Sequence, residues 1–153
     1  MRSALGAIAV LMPLALLAGC ATQPEQHAFE NSRTYKQSYD QTWNHLLKYL
    51  ADNNIQVRTE RKATVVVYAQ KDHMDFIGVA DCGKPGVVAY IDTTLHPVVN
   101  SWATLDVAVA AQGSQTKVTV DTKFQQEQSG GDQVSTTDCT STGALERQIL
   151  GAL

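Results

Sequence analysis

The segment 38–54 carries its apolar residues with the period of an α-helix. They occupy positions i, i+3, i+4 and i+7 and so share one face of the predicted helix. These residues are Trp43, Leu46, Leu47 and Leu50. Ser38, with Gln41 three residues later, fits a capping box at the start, and Asn53-Asn54 can end the helix. The pattern predicts an amphipathic helix, preceded by a short extended stretch at 32–38.

After this helix the pattern changes to the two-residue period of β-strands. Alternation of apolar and polar residues is typical of a sheet with one buried and one solvated face. Gln112-Gly113-Ser114-Gln115 predicts a hairpin turn, which favours antiparallel pairing. The predicted strands are 55–60, 64–69, 87–95, 102–111 and 116–124.

The last residues of the chain predict a second amphipathic helix. Its apolar residues are Leu145, Ile149, Leu150 and Leu153. Ser141 or Thr142 can cap it, and Glu146 in the first turn suits the helix dipole. The segment 125–133, which lies before it, is a polar tract of low complexity.

Two helices with one apolar stripe each, and a sheet with one apolar face, predict a two-layer α+β domain. We expect a mostly antiparallel sheet of about five strands, packed against both helices in a helix-grip-like arrangement. A chain of 153 residues with one such pattern is long enough for a single domain with its own core.

The N-terminus has the composition of a secretory signal. Arg2 is followed by an uncharged apolar run from Ala4 to Leu17, which is shorter than the roughly 20 residues of a spanning helix. The run ends in Leu17-Ala18-Gly19-Cys20, which resembles the lipobox of bacterial lipoproteins. The resemblance implies that Cys20 is fatty-acylated and becomes the first mature residue. An ordinary secretory signal and an uncleaved membrane anchor are the alternatives.

The predicted organisation follows from that cleavage. Residues 1–19 are a lipoprotein signal peptide, 20–31 are the lipidated N-terminus and a flexible tether, and 32–153 are one periplasmic domain. Ala21 stands where an aspartate favours inner-membrane retention, so the same resemblance implies the outer membrane. The bilayer, through acylated Cys20, is the first expected partner.

The charge of the chain argues against partners that are recognised through a strongly basic surface. Formal net charge is −3, and the largest basic cluster is Arg61-Lys62. Nucleic acids and anionic membrane surfaces are bound by concentrated positive charge, so we expect no nucleic-acid partner.

Cys82 and Cys139 remain once Cys20 is acylated. In an oxidising compartment such a pair predicts a disulfide, which would close a loop of about 57 residues. Two free thiols with a metal or redox role are the alternative, but neither closely spaced metal ligands nor a Cys-x-x-Cys pair is present.

Candidate chemistry is sparse along the chain. Asp72, His73 and Asp75 offer metal-ligand types in a predicted loop, but no further partner at a recognisable spacing accompanies them. "CGKPG" at 82–86 predicts a tight turn rather than a phosphate loop. No Gly-x-Ser-x-Gly elbow accompanies the serines. We therefore expect no catalytic residues, no metal, no cofactor and no enzymatic activity.

Aromatic residues on the polar face of the predicted sheet are candidate interaction residues. Trp102 begins a strand on that face, and Tyr90 and Tyr68 can join it as an exposed aromatic anchor. The alternative is that loops or helices cover all three side chains.

Two stretches resemble a set of bacterial outer-membrane lipoproteins, mostly uncharacterised, that are similar to the BamC lipoprotein family. They are "SYDQTWNHLLKYLADNNIQVRTERKATVVVYA" at 38–69 and "DCTSTGALERQIL" at 138–150. The resemblance spans about residues 35–153 and implies a helix-grip α/β domain. The chain departs from it at Ala63-Thr64, where a glycine is usual, and in having one domain.

These observations predict a membrane-anchored periplasmic lipoprotein that acts as a non-enzymatic binding or assembly module of the cell envelope. Its partner would be another envelope protein. One alternative is an immunity or inhibitor lipoprotein against a cell-wall-degrading enzyme or toxin, which would use the loop "KDHMDFIGVADCG" at 71–83. A binder of a small apolar ligand is the other.

Overall fold

The computed structural model describes residues 23–61, 66–83, 98–130 and 133–153. The elements in chain order are β1 (Ser32–Tyr35), α1 (Tyr39–Asp52), β2 (Gln56–Arg61), β3 (Val66–Asp72), β4 (Ala80–Asp81), β5 (Val98–Gln112), β6 (Gln115–Gly130), β7 (Gln133–Ser141) and α2 (Ala144–Ala152).

The fold is α+β, with an antiparallel sheet and two helices, as the sequence predicts. The strands follow the order β2-β3-β5-β6-β7-β4, and β1 also pairs with β6. The described residues thus form about seven strands, and the prediction of about five was too low. The predicted strand at 87–95 lies outside the described residues.

The β5–β6 hairpin is the centre of the sheet. Its register runs from Gln112↔Gln115 at the turn to Val98↔Gln128 at the far end. Gly113 in the turn has a φ of 62°, which glycine adopts without strain. The other edge of β6 is shared, because β1 pairs with its first half and β7 with its second half.

Alternating residues of the central strands face the helices and form the core. α1 packs over β5 and α2 over β6. The apolar residues that alternate along the predicted strands 102–111 and 116–124 are buried, as their pattern predicts. They are Ala103, Leu105, Val107 and Val109 of β5 and Val118, Val120 and Phe124 of β6.

Helix α1 forms as the sequence predicts. Trp43, Leu46 and Leu50 are buried, and Leu47 is half-buried. The capping box is complete, since Ser38 Oγ accepts from Gln41 N at 3.3 Å and Gln41 Oε1 accepts from Ser38 N at 3.1 Å. These bonds satisfy donors that the first turn of a helix leaves unpaired.

The start of α2 differs from the prediction. Its N-cap is Gly143, with a φ of 78°, rather than Ser141 or Thr142. Ser141 Oγ instead donates to the carboxylate of Glu146 at 2.7 Å, and Thr122 Oγ1 donates to the same carboxylate. Glu146 is only 1% exposed, so these hydroxyls supply the hydrogen bonds that its buried oxygens cannot make to water.

The polar tract 125–133 was not expected to form strands. It belongs almost entirely to a second hairpin, because β6 continues to Gly130 and β7 begins at Gln133. Polar residues form strands here because β7 lies at the rim, where side chains on both faces reach solvent.

Residues 25–31, expected to belong to a flexible tether, hydrogen-bond to the domain. Glu25 N donates to Asp81 Oδ2 at 3.0 Å, and Gln26 Nε2 donates to Thr140 Oγ1 at 3.3 Å. Asn31 O accepts from Val120 N at 2.9 Å. The segment that precedes β1 therefore lies against β4, β6 and β7.

Candidate functional site

A loop between β3 and β4, His73–Val79, is held in place by hydrogen bonds to its backbone at both ends. At its start Met74 and Ser101 bond to each other twice, from Met74 N to Ser101 O at 3.1 Å and from Ser101 Oγ to Met74 O at 2.6 Å. At its end Thr142 N donates to Val79 O at 3.1 Å, and Thr142 Oγ1 donates to Gly78 O at 2.8 Å. We call this segment the 73–79 loop.

Neighbouring residues of the 73–79 loop point in opposite directions. The Phe76 ring packs edge-on against Phe124 of the core, with 5.3 Å between ring centroids. The next residue, Ile77, is 87% exposed. Its backbone N–H is bound by Asp75 Oδ1 at 2.9 Å, which closes a local turn. The loop therefore presents the solvent-exposed side chain of Ile77 from a backbone that hydrogen bonds hold in place.

A cleft of about 550 Å³ lies beside this loop. Residues 74–77 of the 73–79 loop line it together with Ala80–Gly83, Val98, Ser101 and Gln126. Val98 is 51% exposed, so the described rim of the cleft carries two large apolar side chains in contact with solvent. The volume is within the range of small-ligand pockets, but the cleft is open.

The predicted disulfide is confirmed and lies at this site. Cys82, a cleft residue that follows β4, is joined to Cys139 of β7. Only Ala80↔Ser141 and Asp81↔Thr140 pair β4 with β7. The covalent bond therefore reinforces a strand pairing two residues long.

The loop residues that the sequence offers as metal ligands are Asp72, His73 and Asp75, and they lie in separate surroundings. Asp72 Oδ2 lies 3.6 Å from Arg58 Nη2, while Asp75 binds its own loop. His73 is exposed and has a φ of 50°. Within the described ranges, Asp72, His73 and Asp75 do not converge as a group of metal ligands.

Trp102 lies on the face of the sheet away from the helices, as predicted, but it is half-buried. Its Nε1 donates to Gln125 Oε1 at 3.2 Å, and Gln125 Nε2 donates to Asp138 Oδ1 at 2.7 Å. This row ties β5, β6 and β7 together across the outer face. Tyr68 is half-buried on the same face, four residues along the register from Trp102. Cys20 and Tyr90 lie outside the described residues.

Burial raises the pKa of two tyrosines near the helices. Desolvation raises the pKa of Tyr35 above its ordinary value of 10.0, and the nearby Arg33 partly offsets the rise. Desolvation also raises the pKa of Tyr49. Both residues belong to the packing of the fold and neither lines the cleft.

Sequence reasoning missed two features of this region. Ile77 was part of a loop noted for its polar residues, and its exposure depends on Phe76 being drawn into the core. Glu25, His27 and Asp81 converge although 56 residues separate the first from the last. No spacing rule connects residues so far apart in sequence.

The chain matches no protein-family model, and no curated protein matches its sequence. Of the helices in the described ranges, none has the length and apolar character needed to cross a bilayer.

Proposed function

We propose that the protein is a periplasmic lipoprotein, anchored in the outer membrane through acylated Cys20, that binds another envelope protein through the 73–79 loop and its cleft. In this role the domain is a non-enzymatic binding or assembly module with a helix-grip-like fold. The main support for this proposal is the exposure of Ile77. Its apolar side chain is 87% exposed, on a loop whose backbone is held in place by hydrogen bonds.

The energetics of docking favour such a residue. Burying an isoleucine that was fully exposed contributes about 1.5–3 kcal/mol. An anchor on a fixed backbone loses little conformational entropy when it binds. The hydrogen bonds of Thr142 and Ser101, together with the disulfide, supply that rigidity. Val98, which also lines the cleft, enlarges the apolar surface that a partner would cover.

The sequence supports the proposed localisation of the protein at the outer membrane. The lipobox-like Leu17-Ala18-Gly19-Cys20 supports acylation, and a disulfide between Cys82 and Cys139 is typical of an oxidising compartment. Stable anchoring requires two or more acyl chains, which lipoprotein processing provides.

Site-specific photo-crosslinking in living cells tests the binding proposal. A photoreactive residue replaces Ile77 in a tagged chain at native level, and a matched chain carries it at Asn44 on the exposed side of α1. We expect a discrete protein adduct from position 77 only. In parallel, Cys20→Ala should abolish labelling with a fatty-acid probe and release the chain from the membrane fraction.

The identity of the adduct distinguishes the candidate functions. An assembly or cell-wall scaffold protein supports the assembly module. A single hydrolase or toxin would replace that proposal with the inhibitor alternative, which the fixed, protruding loop also favours. Equal adducts from positions 77 and 44, or no protein adduct from position 77, would refute partner binding through this loop.

A further inference from the structure

Three potential metal ligands converge where the N-terminal segment meets β4. They are a carboxylate oxygen of Glu25, an imidazole nitrogen of His27 and a carboxylate oxygen of Asp81, all within 4.8 Å of one another. His27 Nε2 and Asp81 Oδ2 are 3.9 Å apart. Glu25 is exposed, while His27 and Asp81 are half-buried. None of these residues was singled out by its sequence pattern.

The imidazole of His27 presents a buried nitrogen that has no hydrogen-bond partner. Its Nε2 is shielded from solvent and makes no hydrogen bond, and Asp81 Oδ2 at 3.9 Å is too distant to accept one. A buried polar atom without a partner destabilises the fold, because it has lost its hydrogen bonds to water and gained none in return. A ligand that bonds to this nitrogen would remove that unfavourable contribution to the stability of the fold.

The carboxylate of Asp81 is oriented before any ion arrives. Its Oδ1 accepts from Gly83 N at 2.8 Å, and its Oδ2 accepts from Glu25 N at 3.0 Å. The second of these bonds also brings the Glu25 side chain to the same place. Two neighbouring carboxylates repel each other, and a cation between them would reverse that repulsion.

We propose that Glu25, His27 and Asp81 form a binding site for a divalent cation, with zinc as the ion that suits it best. One imidazole and two carboxylates form a ligand set that zinc accepts, and zinc with three protein ligands completes its shell with water. Tetrahedral zinc ligands lie roughly 3.3 Å apart, so His27 and Asp81, at 3.9 Å, would approach by about 0.6 Å, and a pair at the 4.8 Å limit by about 1.5 Å. The exposed Glu25 side chain can move to bring its carboxylate closer to the other two ligands.

Cation binding would fasten the N-terminal segment to the disulfide-bonded edge of the sheet. Glu25 and His27 precede β1, whereas Asp81 ends β4 next to Cys82. The bound ion would close a link between segments more than 50 residues apart. This consequence is independent of which partner, if any, binds Ile77.

Zinc titration of the full-length chain tests the site. The protein is purified in detergent as the cell produces it, stripped with EDTA and titrated with ZnCl₂ by calorimetry. We expect a single equivalent to bind, with a rise in Tm and slower amide exchange over residues 25–31. Co²⁺ in place of zinc should give a visible d–d spectrum.

Two variants remove a ligand without removing the surrounding hydrogen bonds. Glu25→Gln keeps the backbone N–H that binds Asp81, and His27→Gln keeps a polar side chain of similar length. Each should weaken zinc binding by more than the roughly 10- to 100-fold that loss of a hydrogen-bond partner behind a metal ligand costs. His45→Gln, a matched control on the exposed side of α1, should leave it unchanged.

The outcomes are decisive either way. Binding of one equivalent that both ligand variants lose and the control retains establishes the site. Absence of saturable binding, or equal affinity in wild type and His27→Gln, would overturn it. Far-UV circular dichroism of each variant checks that the fold is intact, and Glu25→Gln still tests the site if His27→Gln proves unstable.

Discussion

Two features of the fold require a glycine at position 143, its backbone conformation and the lack of space for a side chain. Its φ of 78° is a left-handed conformation, and an added Cβ would lie 2.3 Å from Cγ of Phe29. Phe29 belongs to the segment that lies along the domain before β1. The glycine of the "DCTSTGALERQIL" stretch is therefore required both by the start of α2 and by the packing of the N-terminal segment.

Gly143→Ala should destabilise the protein more than the same change elsewhere. The left-handed backbone costs about 1–2 kcal/mol for a non-glycine residue, and crowding in a packed site adds about 1–3 kcal/mol. Gly113→Ala is the matched control, because its φ is 62° and nothing lies within 4 Å of an added Cβ. Urea unfolding measures both, and equal losses would contradict a packing role for Phe29.

Local rules predicted individual residues well only where neighbours in sequence decide the outcome. The capping box of α1 is such a case, because Ser38 and Gln41 need only each other. Ser141 shows the opposite. By local rules it could cap α2, but Glu146 is buried by the tertiary fold and takes the hydroxyl as a hydrogen-bond donor. Burial of a charged residue is not evident from the residues beside it.

At the scale of elements, β1 completes the C-terminal end of α2. Tyr35 Oη and Arg33 Nη1 both donate to the carbonyl oxygen of Leu150, at 2.5 and 3.0 Å. The last carbonyls of a helix have no partner inside the helix. A strand of four residues thus links the sheet to the helix that ends the described fold.

Ionisation of Tyr35 should lower the free energy of unfolding at alkaline pH. Its folded-state pKa is raised above 10.0, so the unfolded chain loses this proton first. The contribution is complete below pH 10 and is lost as pH rises from there through the folded-state pKa. Tyr35→Phe should cost about 1 kcal/mol near neutral pH through the lost hydrogen bond.

The difference between wild type and Tyr35→Phe should therefore shrink above pH 10. Chemical unfolding from pH 8 to pH 11 measures it. Tyr49, whose pKa is also raised by burial, leaves some alkaline loss in both proteins. Parallel stability curves over this range would show that Tyr35 ionises equally in the two states.

The elements that the sequence predicted share one property, which is contact with the core. α1, β5 and most of β6 carry alternating or helical apolar patterns because one face of each is buried. β7 was missed because most of its side chains reach solvent, so no apolar period marks it. Its pairing with β6 follows from the extended hairpin, which side-chain composition alone does not reveal.

At the scale of the whole molecule, the disulfide joins the candidate site to the core sheet. Replacing Cys82 and Cys139 together with serine should destabilise the protein by about 4 kcal/mol by loop entropy, for a bridge that spans 57 residues. Thermal unfolding of the double variant against wild type measures this. A loss below about 1 kcal/mol would mean that the unfolded chain gains little freedom without the bridge.

The candidate site could be predicted only in part, for reasons of distance along the chain. The disulfide followed from the cysteine count and the expectation of an oxidising compartment. The stretch 71–83 is a candidate surface in the inhibitor alternative, but the sequence does not distinguish Ile77 within it, because the fold decides which of Phe76 and Ile77 is buried. The ligands Glu25, His27 and Asp81 meet only after the N-terminal segment has folded back onto β4.

In the proposed lipoprotein, the hydrogen bond between Glu25 and Asp81 would set how far the cleft can stand from the bilayer. Glu25 is the fifth residue after Cys20, and an extended chain covers at most about 3.6 Å per residue. With Cys20 acylated, the edge of the cleft would stay within roughly 18 Å of the bilayer surface. Release of the segment up to β1 would lengthen this reach to roughly 40 Å. In the proposed lipoprotein, docking of residues 25–31 would therefore decide whether a partner is met beside the headgroups or farther from the bilayer.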